Sequence, residues 1–499
     1  MVYTADTAVV GLEARSVRRR RGSATLRLRD AFPAGCTEAG SAHLVGVCGA
    51  GMKALSELLT GRGWRVSGSD MQISAVKADM FLKRGLRVHQ GHQAQFVDPD
   101  VDVLVYSPAV SPQNPERQFA EAHGIPQMSY SQMLGWLMRD KTGISIAGTH
   151  GKSTTTAMTG FVLTSAGLEP SVVVGAELCG PNTSGWAGNG EHFVVESCEF
   201  QRSFLDLAPQ HATILGIEPD HFDCFETFDD TVAAFRAFAE SLPADGSLLI
   251  RQDCAASQTA VAGIAAPVET FSLEPQAEWW AADLRPTADG IRFRAFLRGE
   301  YFTEITLRVP GRHNVLNALA AMALCHRVGA SPAAIREGLA DFQGIRRRFE
   351  LIGTWRGVRL IDDYAHHPTA VAATLRTARE RFPDQRIRCV FQPHQVSRTT
   401  ALMADFAQSL TLADEVLLVP VFAARESVAT EPDDASRELA DKVNAAGGRA
   451  QFCTSLDHAV ASLDDALRPG DVLITMGAGD IGQVHYAFTR QLQRHHHAG

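Results

Sequence analysis

The chain has 499 residues, of which 45% are apolar and 21% are charged, and its formal net charge is −9 at pH 7. This length and composition predict a globular protein of about three domains, and the negative charge argues against general binding to nucleic acid or to anionic membranes. The nine cysteines form no C-x-x-C pair, and neither a signal peptide nor an apolar run of about 18 residues is visible. We therefore expect a cytoplasmic protein without membrane insertion.

Residues 1–42 show little hydrophobic periodicity and contain four consecutive arginines at 18–21. A nucleic-acid or lipid patch is one interpretation of such a run, and a solvated tail is the other. We interpret the segment as a basic, disordered tail and assign it no function.

The next segment, 43–142, has the strand, turn and helix pattern of a Rossmann-like domain. A strand at 44–47 runs into a turn that contains Gly49 and Gly51, and a helix follows. The glycines read G-x-x-G-x-G, so the dinucleotide fingerprint G-x-G-x-x-G is not met. Their backbone could still approach a diphosphate closely, and a purely structural turn is the alternative.

Two further turns of this domain carry polar residues at strand ends. The second strand, predicted at 64–66, leads to Ser69 and Asp70, and the strand at 101–106 leads to Ser107. The carboxyl edge of a parallel sheet is where ligands bind. The pattern therefore predicts one ligand site along this edge.

A phosphate-binding loop is predicted at the start of the central segment, 143–341. An apolar strand, a glycine turn and a helix at 154–164 follow one another, an order that points backbone N–H groups and a helix dipole at one place. Ile146 stands where a P-loop has its first glycine, so a plain turn is the alternative. The predicted phosphate contacts are Gly148, Thr149, His150, Gly151, Lys152, Ser153 and Thr154.

Metal ligands for a nucleotide are expected at the ends of neighbouring strands. Glu196 ends the strand at 192–196, and His221 follows the strand at 212–217. Together with Ser153 they are our candidates, although Mg²⁺ prefers oxygen and either strand-end residue could instead be solvated or cap a helix.

Asn314 and Asn317 are three residues apart at the start of an alanine-rich helix, so they share one face. An amide both donates and accepts hydrogen bonds, which suits the edge of an adenine. Capping of the helix is the alternative interpretation.

The last segment, 342–499, alternates strand and helix four times, which predicts a second doubly wound sheet. The strands are predicted at 358–361, 386–391, 415–419 and 472–475. Their carboxyl-end turns collect polar side chains that are unsuited to a core, and this concentration favours a site over merely solvated loops. The turn residues are Asp362, Asp363, His366, His367, His394 and Arg398.

Three motifs taken together resemble the Mur ligase family: GTHGKST at 148–154, GRHNVLNA at 311–318 and DDYAHHP at 362–368. The similarity covers about residues 43–490. It implies an α/β fold of three domains, namely a Rossmann-like domain for a UDP-sugar, a central P-loop-type ATPase domain and a Rossmann-like C-terminal domain that closes over ATP and the amino acid. Among such ligases, the motif MGAGDIG at 476–482 resembles the alanine-adding branch.

The resemblance implies ATP-dependent ligation of L-alanine to the lactyl carboxylate of UDP-N-acetylmuramate through an acyl phosphate, as a step of peptidoglycan synthesis. ATP with Mg²⁺ or Mn²⁺ would be the cofactors, and the protein would be a monomer or a weak homodimer. An enzyme of this type needs charge cancellation around a phosphoryl group and no covalent protein nucleophile.

Residue roles carried over from the family fall into four groups. Lys152 would stabilise the transferring phosphoryl group, and Ser153, Glu196 and His221 would hold the metal. The adenosine would contact His313, Asn314, Asn317 and Asp363. The alanine and acyl-phosphate region would be formed by Tyr364, His366, His394 and Arg398. The UDP moiety would contact Gly49, Gly51, Ser69, Asp70 and Ser107.

The chain departs from the family pattern at three positions. Gln395 stands where an arginine is usual, Cys198 replaces an aspartate, and Ala365 replaces a glycine. The motif DDYAHHP also resembles the ligase that joins a ready-made tripeptide to the same UDP-sugar. The alternatives are therefore that tripeptide ligase, a catalytically weakened nucleotide-binding regulator, and an NAD-dependent dehydrogenase.

Overall fold

The computed structural model describes residues 40–424, 426 and 432–496. This part of the chain contains three β-sheets, and we call the regions built on them the N-terminal, central and C-terminal domains. The arginine run at 18–21 lies outside the described residues. The first strand, β1 (Ser41–Val45), begins inside the segment that was expected to be a tail. Asp102 fixes Ser41 there, because its carboxylate accepts the backbone N–H at 2.9 Å and the hydroxyl at 2.8 Å.

The N-terminal domain is a five-stranded parallel sheet with the order β3-β2-β1-β4-β5. The order reverses between β1 and β4, which is the position where doubly wound sheets bind ligands. β1 ends earlier than predicted, because Gly46 has φ +85° and the N–H groups of Gly46 and Val47 both donate to the Ser69 carbonyl. The other elements are α1 (Ala50–Gly61), β2 (Arg65–Asp70), α2 (Ala75–Lys83), β3 (Arg87–Gln90), β4 (Val103–Tyr106), α3 (Pro115–Ala122), β5 (Gln127–Ser129) and α4 (Tyr130–Met138).

The central domain is built on a ten-stranded sheet with the order β15-β14-β13-β12-β11-β10-β6-β9-β7-β8. Its elements are β6 (Thr142–Ala147), α5 (Lys152–Ser165), β7 (Ser171–Val173), β8 (Gly185–Trp186), β9 (His192–Glu196), β10 (His211–Ile214), α6 (Phe228–Glu240), β11 (Ser247–Arg251), α7 (Ala255–Ala260), β12 (Val268–Ser272), β13 (Trp279–Pro286), β14 (Ile291–Leu297), β15 (Glu300–Leu307), α8 (Arg312–Arg327) and α9 (Pro332–Asp341). β6 lies between β9 and β10 and is parallel to both. The loop after β6 therefore lies beside the ends of β9 and β10, and α5 packs against α8.

The C-terminal domain is a six-stranded sheet with the order β16-β17-β21-β18-β19-β20, in which only the β16–β17 pair is antiparallel. Its elements are β16 (Glu350–Trp355), β17 (Val358–Asp363), α10 (Pro368–Arg381), β18 (Ile387–Phe391), α11 (Val396–Ala401), α12 (Met403–Leu410), β19 (Glu415–Leu418), α13 (Pro432–Ala445), β20 (Ala450–Phe452), α14 (Leu456–Ala466), β21 (Val472–Met476) and α15 (Gln483–His496).

The four strands predicted for this domain are present as β17, β18, β19 and β21, but the two edge strands were not predicted. β16 exposes Leu351 and is interrupted by Gly353, so it lacks a clear alternation of buried and exposed residues. β20 has only three residues, and short edge strands carry little sequence signal.

The largely parallel sheets with helical crossovers confirm the predicted α/β fold class, although the edges of the central sheet are antiparallel. Within the described part of the chain, no helix is both long enough and apolar enough to cross a bilayer.

Candidate active site

The loop between β6 and α5 has the backbone of a phosphate site. Gly148 and Gly151 have φ values of +126° and +83°, and α5 begins at Lys152, directly after Gly151. The first-turn N–H groups of α5 and the positive end of its dipole are therefore directed at this loop. A β-carbon at Gly151 would collide with Oδ1 of Asn317. Glycine is thus required there for two reasons, and α8 closes one side of the loop.

The side chain of Lys152 folds back into this loop and pairs with a carboxylate. Its Nζ donates to the Gly148 carbonyl at 2.6 Å and lies 2.9 and 3.0 Å from the two carboxylate oxygens of Glu199. Burial disfavours the ammonium, but the charge of Glu199 outweighs burial and raises the pKa of Lys152 above its ordinary value. Lys152 is therefore a fixed positive charge beside the phosphate loop.

Glu199, which was not predicted as a site residue, also lies 3.6 Å from Nε2 of His221. One potential metal-ligand atom from each of Cys198, Glu199 and His221 lies within 4.8 Å of the others. His221 has a φ of +53°, and its buried Nδ1 has no hydrogen-bond partner among the described residues. A strained backbone and an unsatisfied buried nitrogen at one residue are features of functional sites.

The donors around Glu199 fit a magnesium ion if Cys198 is left out. The Glu199 carboxylate supplies oxygen ligands of the kind that Mg²⁺ prefers, and Ser153, the second residue of α5, carries the hydroxyl predicted as a further ligand. His221 can add a nitrogen. Burial raises the pKa of the Cys198 thiol to about 12, so the thiol stays protonated at neutral pH and is a poor ligand for this ion.

Glu196, the predicted ligand, has a backbone partner, while its charge still acts on Lys152. Its Oε2 accepts the backbone N–H of Gly175 at 2.7 Å, and a β-carbon at Gly175 would collide with its carboxylate. The structure pairs Glu199 with Lys152 and His221, and it pairs Glu196 with the backbone after β7. The predicted role of Glu196 stays a prediction.

Residues 218–221, after β10, meet the C-terminal domain. Arg398 in α11 donates from Nε and Nη2 to Oδ1 of Asp220 at 2.8 and 2.7 Å, and both side chains are buried. Burial disfavours the Asp220 carboxylate, but the guanidinium of Arg398 lowers its pKa well below the usual range. Nε2 of His367 also lies 3.1 Å from the Pro219 carbonyl. The predicted amino-acid region is therefore attached to residues 218–221 of the central domain, which we call the metal-side loop because it contains His221.

Three more predicted residues gather around Arg398. Nδ1 of His394 lies 3.0 Å from Nη1 of Arg398, and the rings of His394 and His366 are 5.7 Å apart. The ring of Tyr364 is 5.2 Å from that of His366. Nδ1 of His366 lies 2.8 Å from the Tyr364 carbonyl, so Nδ1–H donates and Nε2 carries the lone pair. Burial, followed by the charge of Arg398, lowers the pKa of His366 well below its ordinary value.

The residues predicted for adenosine lie at the start of α8 and at the end of β17. Asn317 donates to Oδ1 of Asn314 at 3.1 Å, and Asn314 donates to the Pro310 carbonyl at 2.7 Å. The N-cap of α8 is Gly311, so neither asparagine caps the helix. Burial, followed by the charge of Arg348, lowers the pKa of the adjacent His313 to about 4. Asp363, at the end of β17, accepts the N–H groups of Phe349 and Ala365, each at 2.8 Å.

The residues predicted for the UDP moiety surround the turn between β1 and α1. Gly49 is the N-cap of α1, and a β-carbon at Gly51 would lie 2.7 Å from the ring of Tyr130. Asp70 accepts the N–H of Cys48 at 2.9 Å and so fixes the turn.

The two predicted serines of this region differ in accessibility. Ser69 is fully buried and donates to Glu116 at 2.7 Å, whereas Ser107 is partly exposed at the end of β4, beside Gly46. The binding roles of all the residues predicted for the UDP moiety stay predictions.

Sequence reasoning missed Glu199 and Asp220. Both are acidic residues just after a strand end, which is a usable signal, but the sequence does not show which carboxylate of the 196–199 segment turns towards Lys152. Asp220 was passed over in favour of its neighbour His221. Its partner Arg398 is 178 positions away in the chain, and only the fold brings the two together.

Comparisons with known proteins cover nearly the whole described chain. Three family models match in order: "Mur ligase family, catalytic domain" at 41–142, "Mur ligase middle domain" at 146–325 and "Mur ligase, glutamate ligase domain" at 347–479. The UDP-N-acetylmuramate–L-alanine ligase of Salinibacter ruber is 40% identical over 90% of this chain and 94% of its own length. The ligase of the same name from Kineococcus radiotolerans is 41% identical over 90% and 96%.

Solved structures agree with these matches. The UDP-N-acetylmuramate-alanine ligase MurC from Thermotoga maritima superposes with a TM-score of 0.77 at 27% identity and covers 91% of this chain and 99% of its own. A murein peptide ligase from Psychrobacter arcticus has a TM-score of 0.68 at 25% identity, with 91% and 98% coverage. The resemblance seen in the motifs is therefore confirmed, and the chain belongs to the Mur ligase family.

Proposed function

We propose that this protein is an ATP-dependent ligase that joins L-alanine to the lactyl carboxylate of UDP-N-acetylmuramate in peptidoglycan synthesis. Relatives about 40% identical over most of the chain carry the name of this activity. The observation that carries the proposal is that two groups of charged and polar side chains, one from each domain, come together at residues 218–221. Lys152, Glu199 and His221 lie on the phosphate side, and Arg398 with its histidines lies on the other.

The first step is phosphoryl transfer. A carboxylate oxygen of UDP-N-acetylmuramate attacks the γ-phosphorus of ATP, ADP leaves, and an acyl phosphate forms. Lys152, held against Glu199 and the Gly148 carbonyl, supplies positive charge to the transferring group. We assign Ser153, His221 and a carboxylate, Glu199 in this arrangement or the predicted Glu196, as the ligands of Mg²⁺, which when bound neutralises the phosphate oxygens of ATP. Mn²⁺ accepts the same donors.

The second step is attack by the amine of L-alanine on the acyl carbon, after which phosphate leaves. A protonated amine cannot attack, so a base must take a proton. His366 is placed for this role because its Nδ1–H is held by the Tyr364 carbonyl, which leaves the Nε2 lone pair as acceptor. Arg398 lies beside it and can cancel charge on the carboxylate and the oxyanion, and His394, whose Nδ1 accepts from Arg398, can donate from Nε2–H.

The remaining assignments concern binding. We place adenosine against His313, Asn314, Asn317 and Asp363 between the central and C-terminal domains, and the UDP moiety at the turn after β1. The domain limits 43–142, 143–341 and 342–499 and the state of a monomer or weak homodimer belong to the same proposal. The cytoplasm is the compartment that we assign, since cysteine usage favours it and ATP is available there.

Two of the three departures from the family pattern, at Gln395 and Ala365, are compatible with activity. Gln395 is buried, and its amide lies 3.4 Å from Oδ2 of Asp223, so it fills an interdomain contact. Ala365 is buried and its N–H is held by Asp363. The positive charge of Arg398 is retained beside His394, which is why we favour an enzyme over a weakened regulator.

The experiment that tests this proposal is to trap the acyl phosphate. Hydroxylamine added with ATP, Mg²⁺ and UDP-N-acetylmuramate, without alanine, should give the hydroxamate of the UDP-sugar together with ADP. Its absence, under conditions in which the protein binds ATP, would remove the acyl phosphate from the reaction.

A further inference from the structure

A second cluster of donor atoms lies where the central and C-terminal domains meet. It consists of His150 in the phosphate loop, Glu218 after β10 and His367, the N-cap of α10, and we call it the interdomain cluster. One ligand atom of each residue lies within 4.8 Å of the other two. These residues are distinct from the Glu199 group, to which the proposed function assigns magnesium.

The distances in the interdomain cluster are those of a small tetrahedral site. Nε2 of His150 is 3.4 Å and Nδ1 of His367 is 3.7 Å from the same carboxylate oxygen of Glu218. A tetrahedral zinc ion bonds nitrogen and oxygen at about 2.0–2.2 Å, which separates neighbouring ligand atoms by about 3.3–3.6 Å. The two contacts to the Glu218 oxygen are close to this range, and the ligand atoms of the two histidines lie within 4.8 Å of each other.

The surroundings of His367 and Glu218 also match those of metal ligands. Nε2 of His367 lies 3.1 Å from the Pro219 carbonyl, so Nε2–H donates outward and Nδ1 carries the lone pair. That lone pair accepts the N–H of Thr369 at 3.3 Å, a long bond that a metal can replace. The hydroxyl of Thr369 donates to Oε2 of Glu218 at 2.5 Å. A histidine and a carboxylate that are both oriented by outer partners form a prearranged pair.

His150 completes the set. Its Nε2 is buried and has no hydrogen-bond partner among the described residues, although it lies beside the Glu218 carboxylate. The protonation states also suit a cation. Burial, the largest cause, lowers the pKa of His367 to about 4, so the ring is neutral at pH 7. Burial opposes ionisation of Glu218, but the hydrogen bond from the Thr369 hydroxyl is among the interactions that keep its pKa below the usual value.

We propose that His150, Glu218 and His367 form a zinc-type transition-metal site that joins the central domain to the C-terminal domain. Two imidazoles and one carboxylate are a donor set that zinc takes with a fourth position open, whereas Mg²⁺ demands oxygen. His150 and Glu218 come from the central domain and His367 from the C-terminal domain. A bound ion therefore holds the two domains in the arrangement seen here. The inference goes beyond the proposed function, because it requires neither ATP nor the ligase reaction.

The test is a Co²⁺ titration of the ATP-free full chain followed by visible spectroscopy. The parent protein carries Cys198→Ser, which removes the thiol of the other cluster. It also carries His495→Ser, His496→Ser and His497→Ser, which remove adventitious sites near the C-terminus. Tetrahedral Co²⁺ gives intense visible bands. We expect one such ion per chain in the parent, with at least about a 100-fold loss of affinity in Glu218→Gln and in His367→Gln, since changes outside the ligand shell alone cost about 10–100-fold.

The matched control is Asp223→Asn, which weakens the nearby interdomain contact to Gln395 without touching a donor atom. It should bind Co²⁺ like the parent. Unchanged affinity in Glu218→Gln and His367→Gln, or the same loss in Asp223→Asn, would overturn the proposal.

A second measurement does not depend on whether the variants fold. Crystals of the parent protein soaked in Zn²⁺ should show an anomalous peak at about 2.0–2.2 Å from Nδ1 of His367. A zinc ion bound only at His221, or no bound zinc, would overturn the proposal equally.

Discussion

Arg398 and Asp220 form a two-pronged ion pair between domains, with Nε and Nη2 of the arginine 2.8 and 2.7 Å from one carboxylate oxygen. The side chains are only 3% and 8% exposed. A planar guanidinium is suited to this geometry. The pair therefore fixes the amino-acid region of the C-terminal domain against the metal-side loop of the central domain.

Loss of the Asp220 charge should weaken this attachment. Asp220→Asn leaves Arg398 buried without its counter-charge, and breaking such a pair costs about 3–5 kcal/mol. We expect a lower denaturation midpoint and a lower kcat, measured by urea unfolding and phosphate release. The control is Asp253→Asn, which breaks the equally two-pronged but exposed pair Arg251–Asp253 and should cost about 0–1 kcal/mol. If the two variants change the denaturation midpoint and kcat equally, the interdomain pair does not stabilise the domain arrangement more than an exposed pair does.

Lys152 should be required for turnover and not for folding. Lys152→Ala removes the charge beside the phosphate loop, and we expect kcat to fall by at least about 10²–10³-fold, the usual cost of one charge-stabilising group. The control is Lys141→Ala, which should keep its activity. Lys141 directly precedes β6, and its Nζ donates to the Gly190 carbonyl. Circular dichroism checks the fold of both. Retained turnover in Lys152→Ala would remove this residue from the mechanism.

Glu199 and Glu196 should differ in their effect on the metal requirement. Glu199→Gln replaces the negatively charged carboxylate beside His221 by a neutral amide. The Mg²⁺ concentration for half-maximal activity should therefore rise by at least about 10-fold. Glu196→Gln changes a contact to the Gly175 backbone, and its Mg²⁺ requirement should change less. The measurement is initial rate against Mg²⁺ at saturating ATP. The reverse order would restore Glu196 as the ligand that was first predicted.

Gly151 should be intolerant of a side chain because of Asn317 as well as because of its backbone. In Gly151→Ala the new methyl group collides with Oδ1 of Asn317, and we expect the KM for ATP to rise at least about 10-fold. Gly167→Ala is the matched control at the other end of α5, since Gly167 has φ +73° but open space around it. It should lose about 1–2 kcal/mol of stability through backbone strain alone and keep its KM for ATP.

Local patterns predicted the parts of this molecule that depend on nearby residues. The strand, glycine turn and lysine around Gly151 lie within one stretch of sequence, and the structure has α5 starting directly after it. The polar turn with His366 and His367 likewise follows one strand, β17. Such features depend on periodicity and on turn chemistry, which are local properties of the chain.

Pairings over long sequence distances could not be predicted in this way. Asp220 and Arg398 belong to different domains, and the choice of Glu199 over Glu196 as the partner of Lys152 depends on how the chain turns after β9. The Phe200–Asp206 segment that follows contains two residues with left-handed backbone. Neither is a glycine, so the sequence of this segment does not predict such a turn. Side-chain direction at a loop is decided by packing across sheets.

The most direct test of the central claim is phosphate release by the purified protein with ATP, Mg²⁺ and UDP-N-acetylmuramate, in the presence of L-alanine, of the tripeptide or of no acceptor. We predict that release depends on L-alanine and matches the amount of amide product. Release with the tripeptide alone would instead make the protein a murein-recycling ligase. If the protein binds ATP but releases no phosphate with L-alanine or with the tripeptide, the account is contradicted and a nucleotide-binding regulator is favoured.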